Sequence, residues 1–249
     1  MLASDDAHHL APTGTLRAGV VAAPAGSAFF CTRNGHGDAH GVTVDLMRAF
    51  ADSLQVPLAL QVYDNSGQVT EAVASGACDI AFMPRDPARE AKVDFGPSYF
   101  VIASTYLVPA GSTIQSIDEV NRPGVRIVGI SNTTTVRSAR RTAPEATVEE
   151  VPSVDLMTAM ARSGQGDAFA LTHDSFVGLL PDLPGARVLP GHFQQVGVAV
   201  AVPKGRPAAL SAATALMERA KQSGLVRRVF DSAGLRDAEV APPDVAAAS

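Results

Sequence analysis

Two kinds of apolar spacing take turns along this chain, a short strand-like run and then a helix-like repeat. Leu16-Arg17-Ala18-Gly19-Val20-Val21 reads as a strand, and Ala22 to Gly41, rich in Gly, Ala, Asn and His, reads as a long loop of the kind that carries function. Val44 to Leu54 has apolar residues at helical spacing, Pro57 to Val62 is a strand, and Gly67 to Ser75 is a short helix leading into the apolar run Cys78 to Met83. A βαβαβ order of this kind predicts a mainly parallel sheet covered by helices.

The unit then repeats. Val125 to Ile130 is a strand, Ser131 to Thr135 a polar turn, and Val136 to Thr142 a helix; Thr147 to Val151 is a strand, Val154 to Arg162 a helix, and Asp167 to Leu171 another strand. Extended segments at Ala103 to Val108 and Val196 to Val202 each end in Val-Pro, which suggests two lobes linked by two strand-like crossings. Leu210 to Ser223 is a helix returning to the first lobe. The expected division is therefore 13–107 plus 203–236 for lobe one and 108–202 for lobe two, with 1–12 and 237–249 as loose ends.

Composition narrows the function classes. The chain has 249 residues, 46% hydrophobic and only 18% charged, enough to bury one large or two medium cores. A net charge of -5 with no basic block argues against a nucleic-acid surface or a polybasic membrane anchor. No run reaches the roughly 18 apolar residues of a membrane span. The opening Met1 to Asp6 lacks the charged and apolar regions of a signal peptide, which leaves a cytosolic protein or an exported one already processed.

Candidate chemistry is sparse. Cys31 and Cys78 are the only cysteines, with no CxxC and no histidine at metal-ligand spacing, so no metal site and no cofactor is expected. The two can pair in an oxidising compartment, or Cys78 can serve as a small hydrophobe in a buried strand. No Gly-rich phosphate loop, serine nucleophile elbow or HExxH occurs.

The most informative stretch is Gly76 to Tyr99, GACDIAFMPRDPAREAKVDFGPSY. Asp86-Pro87 opens a helix and puts Arg89 in its first turn, where a guanidinium fork beside backbone N–H groups suits a carboxylate or phosphate. The competing reading is a surface arginine paired with Asp86 or Glu90.

Taken in order, LRAGV, GVTVDL, ACDIAF, DPAREAKVDFGPSY, the Thr-rich helix start and VPKG resemble the type II periplasmic solute-binding proteins of family 3, the amino-acid importer class, over about Thr15 to Gly234. The resemblance implies an α/β fold of two lobes, two mainly parallel sheets joined by a two-strand hinge, with a small carboxylate held in the interlobe cleft. It implies hinge closure read by an ABC permease in the membrane, a monomer, no enzyme activity, and a periplasmic location with the signal peptide removed.

Residue by residue, Arg89 matches the family arginine for the ligand carboxylate, and Asp94-Phe95, Pro97 and Tyr99 match its structural motif. Thr133 and Thr134 match the helix-start hydroxyls of lobe two, with plain helix capping as the rival reading. The segments Tyr63 to Gly67, with Tyr63 and Ser66, and Ala22 to Phe30, with Phe29, match the remaining lobe-one loops at the cleft; Phe29 stacks on the ligand or belongs to the core.

Two departures bear on the ligand. Asp86 stands where the family has a threonine; it pairs with Arg85, meets a cation on the ligand, or caps its helix. In lobe two, His173 and Asp174 follow the Asp167 strand, with Asp174 close to the place of the family's amine-binding aspartate and His173 able to supply a hydrogen bond or a charge. Capping of a helix over Ser175 to Leu180 is the alternative for Asp174. The rival functions are a dehydratase-like enzyme of the cyclohexadienyl dehydratase type on the same fold, and a detached sensory ligand-binding domain.

Overall fold

The computed structural model describes residues 4–22, 27–33 and 38–242, which fall into two compact units. Unit 1 gathers Met1–Ala23, Ala28–Val101 and Val196–Ser249; unit 2 gathers Ile102–Gln195 together with Pro24–Ser27. The divisions fall inside the crossing strands, earlier than the expected 107/108 and 202/203. Strand pairing explains the shift, as the ladders below show.

The elements begin with helix α1 (Ser4–Leu10), strand β1 (Leu16–Val21), the short hairpin β2 (Thr32–Arg33) and β3 (Ala39–His40), and helix α2 (Val42–Leu54). β4 (Leu58–Tyr63), α3 (Ser66–Ala74), β5 (Ile80–Pro84), the single turn α4 (Pro87–Glu90) and the long β6 (Val93–Val108) follow. Next come β7 (Arg126–Ile130), α5 (Thr134–Thr142), β8 (Thr147–Val151), α6 (Val154–Arg162), β9 (Ala168–Thr172), α7 (His173–Leu179) and β10 (Arg187–Val188). The chain closes with β11 (Gln194–Pro203), α8 (Pro207–Gln222) and α9 (Leu225–Ser232).

In unit 1, β1 pairs in parallel with β4 on one side and with β5 on the other, and β11 adds antiparallel to β5 through Val198 to Ala201. Unit 2 repeats the plan. There β7 is parallel to β8 and β9, and β6 adds antiparallel to β9 through Ser104 to Leu107. Each crossing strand thus gives residues to both units, and its paired residues go with the sheet they join.

Side-chain alternation builds the cores. In β9, Phe169 and Leu171 join Val128, Met157 and Phe176 on one face, while Ala168 and Ala170 join Ile127, Ala139 and Tyr106 on the other. In β7 Val128 is followed by Gly129, where an added Cβ would lie 2.6 Å from a Val136 methyl; glycine there lets α5 approach the sheet.

Both ends of the described chain depart from the expectation of loose termini. Ser4–Leu10 is helical, Leu10 is fully buried, and Arg206 donates to the carbonyl of His9 at 2.7 Å. Residues 237–242 dock as well: the Ala241 amide donates to the Tyr99 carbonyl at 2.9 Å, and Arg227 donates to the Ala238 carbonyl. Residues 243–249 lie outside the described residues, as do 23–26 and 34–37 of the long loop.

The cysteines are not joined. Cys31 packs with Val20 and Val44, whereas Cys78 packs with Val69 and Val73, so α2 and α3 cover them from opposite faces of β1. A disulfide needs converging Cβ vectors, and side chains on opposite faces of a strand diverge.

Candidate functional site

The first set of candidates lies in unit 1, where β5 ends and α3 begins. Asn65 caps α3 by accepting from the Gln68 amide at 3.0 Å, which fixes Ser66 at the first helical position. Asp86 caps α4 in the same manner, accepting from the Arg89 amide at 2.9 Å, with Pro87 at the first helical position. The N–H expected to be open beside Arg89 is therefore spent on the cap. Of the three readings of Asp86 the helix cap is the one seen, and Arg85 pairs with Glu90 at 2.5 Å.

Arg89 is 2% exposed and its guanidinium is held by neutral acceptors at two corners. One terminal nitrogen donates to the Pro84 carbonyl at 2.6 Å and the other to the Ser66 hydroxyl at 2.7 Å. The surface-arginine reading is excluded by this burial. The structure thus brings Arg89, Ser66 and Asp86 together, and it places a fixed cationic fork at the opening of α3.

The other two lobe-one candidates point elsewhere. Phe29 stacks on Phe100, centroids 3.8 Å apart and planes at 11°, and meets Phe230 edge-on at 5.6 Å. Its ring is core, because a near-parallel stack inside an aromatic cluster leaves no face for a ligand. Tyr63 donates its hydroxyl to Gln61 at 2.6 Å and lies 3.5 Å from the Cys78 sulfur. Burial and that thiol push its phenol up to about 12. The family motif behaves as a scaffold: Asp94 accepts from the Gly205 amide at 2.8 Å, and Tyr99 donates to the Phe29 carbonyl at 3.0 Å.

The second set lies in unit 2, at the openings of α5 and α7. Thr133 caps α5: its hydroxyl accepts from the Val136 amide at 3.2 Å and donates to the Ile130 carbonyl at 2.7 Å. Capping thus absorbs that hydroxyl. Thr134 follows at the first helical position, 3% exposed, after Asn132 in the left-handed region at φ 60. At α7 the N-cap residue is Thr172, whose hydroxyl donates to Ser175 at 2.7 Å. Asp174 accepts from the Ser27 hydroxyl at 2.5 Å, so its carboxylate is not the cap, and α7 begins two residues earlier than expected. His173 is exposed on the first turn.

Sequence reasoning missed a polar group in unit 2. Ser104 is fully buried on β6, its hydroxyl lies 3.1 Å from Thr135, and it donates to the Gln194 carboxamide oxygen at 3.1 Å. The nitrogen of that carboxamide donates to the Thr134 carbonyl at 3.3 Å. No local motif marks such a group, since it joins residues from three segments of the chain. Ser104, beside Thr105 in the mostly apolar end of β6, was the one available signal.

Two α/β units exchanging two strands are the architecture of type II periplasmic binding proteins, and solved structures of that class match it. An ancestral amino acid-binding protein, AncCDT-1, described as a precursor of cyclohexadienyl dehydratase, superposes with TM-score 0.77 at 23% identity, covering 91% of this chain and 98% of that one. The cysteine-binding protein of Campylobacter jejuni gives TM-score 0.79 at 19% identity, covering 92% of each chain. The chain belongs to the bacterial extracellular solute-binding proteins, family 3, whose model matches residues 20–233. The ABC transporter glutamine-binding protein GlnH of Bacillus subtilis is 26% identical over 151 residues, 61% of this chain and 55% of that protein. The chain spans about half the length of the curated relatives it matches.

Proposed function

We propose that this protein is the extracytoplasmic solute-binding component of an ABC importer, that it captures a small carboxylate ligand, an amino acid or a related organic acid, and that it delivers the ligand to a membrane permease as a monomer without chemistry. Membership of the family over residues 20–233 supports the class, and the names of the relatives, which bind glutamine, support the ligand type. The observation that carries the site is Arg89: a guanidinium 2% exposed and fixed by Pro84 and Ser66 is a preorganised cation for a ligand carboxylate.

In unit 2 the reading gives Thr134, rather than Thr133, the ligand-facing role at the opening of α5, because the Thr133 hydroxyl is committed to the cap. Asp174 takes the ammonium of an α-amino acid, with His173 beside it. Asp86 is a helix cap in this reading and not an acid or base, which favours binding over the dehydratase alternative.

The test is a thermal-shift panel of L-amino acids, keto acids and dicarboxylic acids on protein refolded to strip co-purified ligand. A ligand at about 100 times its Kd adds about 2.7 kcal/mol, or about 5 to 11 °C for a chain of this size. Arg89→Lys keeps the charge but removes the fork, and the shift should vanish for every hit. An Arg89→Lys protein with unchanged affinity overturns the site, and turnover of a cyclohexadienyl acid overturns the binding-only reading.

A further inference from the structure

The carboxamide of Gln194 joins two segments that local sequence keeps apart, the crossing strand β6 and the opening of α5. Its orientation is fixed by chemistry. The Thr134 carbonyl can only accept, so the carboxamide nitrogen must face it, at 3.3 Å; the oxygen then faces Ser104, whose hydroxyl must donate, at 3.1 Å. With its proton spent, the Ser104 oxygen accepts, and the Thr135 hydroxyl at 3.1 Å becomes the donor. Thr135, Ser104, Gln194 and the Thr134 carbonyl therefore form one ring with a single polarity, closed by the peptide bond between Thr134 and Thr135.

The ring is well shielded. Ser104 is 0% exposed, Thr134 3% and Thr135 5%, while Gln194 is half-buried, so loss of the carboxamide leaves Ser104 and the Thr134 carbonyl without a partner where water has little access. It also sits where precision counts. A hydrogen bond to the Thr134 carbonyl sets the rotation of the first peptide of α5, and that rotation aims the Thr135 N–H group and fixes the backbone on the C-terminal side of Thr134.

We infer that Gln194 is a positioning residue for ligand capture, holding the first peptide of α5 in the orientation that the ligand meets. The inference rests on the reading of the α5 opening as a ligand-facing surface. Gln194 touches no ligand itself; it acts through Thr134.

The experiment titrates full-length wild-type protein, Gln194→Met, Gln194→Glu and Thr134→Val with L-glutamine by calorimetry, with ligand-free Tm recorded for each. Met keeps the length of the side chain and removes both hydrogen bonds. The expected result is about a tenfold loss of affinity in Gln194→Met, with ligand-free Tm lowered by several degrees because Ser104 and the Thr134 carbonyl lose their partner. Gln194→Glu should bind weakly at pH 7 and recover relative to wild type as pH falls toward about 4, since the protonated carboxyl regains a donor for the Thr134 carbonyl. A packing role for Gln194 gives no such recovery. Wild-type affinity in Gln194→Met with loss in Thr134→Val overturns the role of Gln194 and leaves the α5 surface standing; wild-type affinity in both overturns the surface and the inference together.

Discussion

Arg17 closes a two-pronged fork on Asp79, its side-chain nitrogens lying 2.9 and 2.6 Å from the two carboxylate oxygens. The pairing follows from register. Ala18 lies opposite Ile80 in the β1–β5 ladder, so the residues just before them meet, and the Arg17 amide and carbonyl bond to Asp79 as well. Arg206, ahead of α8, stands 3.9 Å from the same carboxylate and links the returning C-terminal segment to it. The Asp79 side chain is fully buried while that of Arg17 is 31% exposed, and this asymmetry sets the first prediction. Asp79→Asn should cost about 2 to 3 kcal/mol, the worth of charge-assisted hydrogen bonds, because the released Arg17 can turn to water. Arg17→Met should cost more, about 3 kcal/mol or above, because it leaves a buried carboxylate with only the residue-17 amide and Arg206 at 3.9 Å. Urea unfolding decides the order, and the reverse ranking would refute the account.

Alkaline titration gives the second. Burial, reinforced by the Cys78 thiol, pushes Tyr63 up to about 12, and burial pushes Tyr106 up to about 12 against a lowering contact with Thr142. Both phenols are held neutral in the folded state above their unfolded value near 10. Their contribution to stability is thus full below about pH 10 and is lost as pH rises toward 12. Ultraviolet absorbance of tyrosinate should show at least two phenols still protonated at pH 11 in folded protein and ionised in urea. Ordinary titration of both in the folded protein would contradict this.

Gly41 supplies the third. It stands ahead of α2 with φ 120, and an added Cβ would lie 2.0 Å from the Phe30 carbonyl oxygen. Neither the dihedral nor the space admits a side chain. Gly41→Ala should lose about 3 kcal/mol or more by chemical unfolding, since strain of about 1 to 3 kcal/mol adds to a backbone clash. Gly76→Ala, also at positive φ but with open space, should lose less. Equal losses would mean that the clash relaxes away.

Asp174→Asn separates ligand classes. Its carboxylate already accepts a hydrogen bond from Ser27 and is only partly buried. If it holds an ammonium, the variant should lose about tenfold or more in affinity for an α-amino acid and keep its affinity for the matching keto acid. Parallel calorimetry with the two ligands reads the difference. Equal loss for both would remove Asp174 from the amine role.

Local pattern revealed most of the fold. The strand at Leu16–Val21 and the Asp86-Pro87 helix start are short-range facts of spacing and capping, and they stand where the sequence placed them. α9 escaped because its Leu225–Ser232 segment follows Gly224 too closely to be separated from α8 by spacing alone. α1 escaped because two histidines and two aspartates outweigh its single buried leucine until α8 is there to cover it. Among the site candidates, Arg89 was legible from its helix start, but its bond to Ser66 was not, since 23 residues separate them.

What the sequence determined by itself was the alternation of strands and helices in the two units, the cap at Asp86 and the class of protein, because propensity, periodicity and caps act over a few residues and a family pattern repeats their order. Tertiary structure alone decided that Phe29 faces Phe100 in the core, that the two cysteines lie on opposite faces of β1, and that Gln194 reaches Thr134. Each of these depends on which strand lies beside which and on the face a side chain takes. A one-residue change of register reverses that face while leaving the local pattern of apolar and polar residues unchanged.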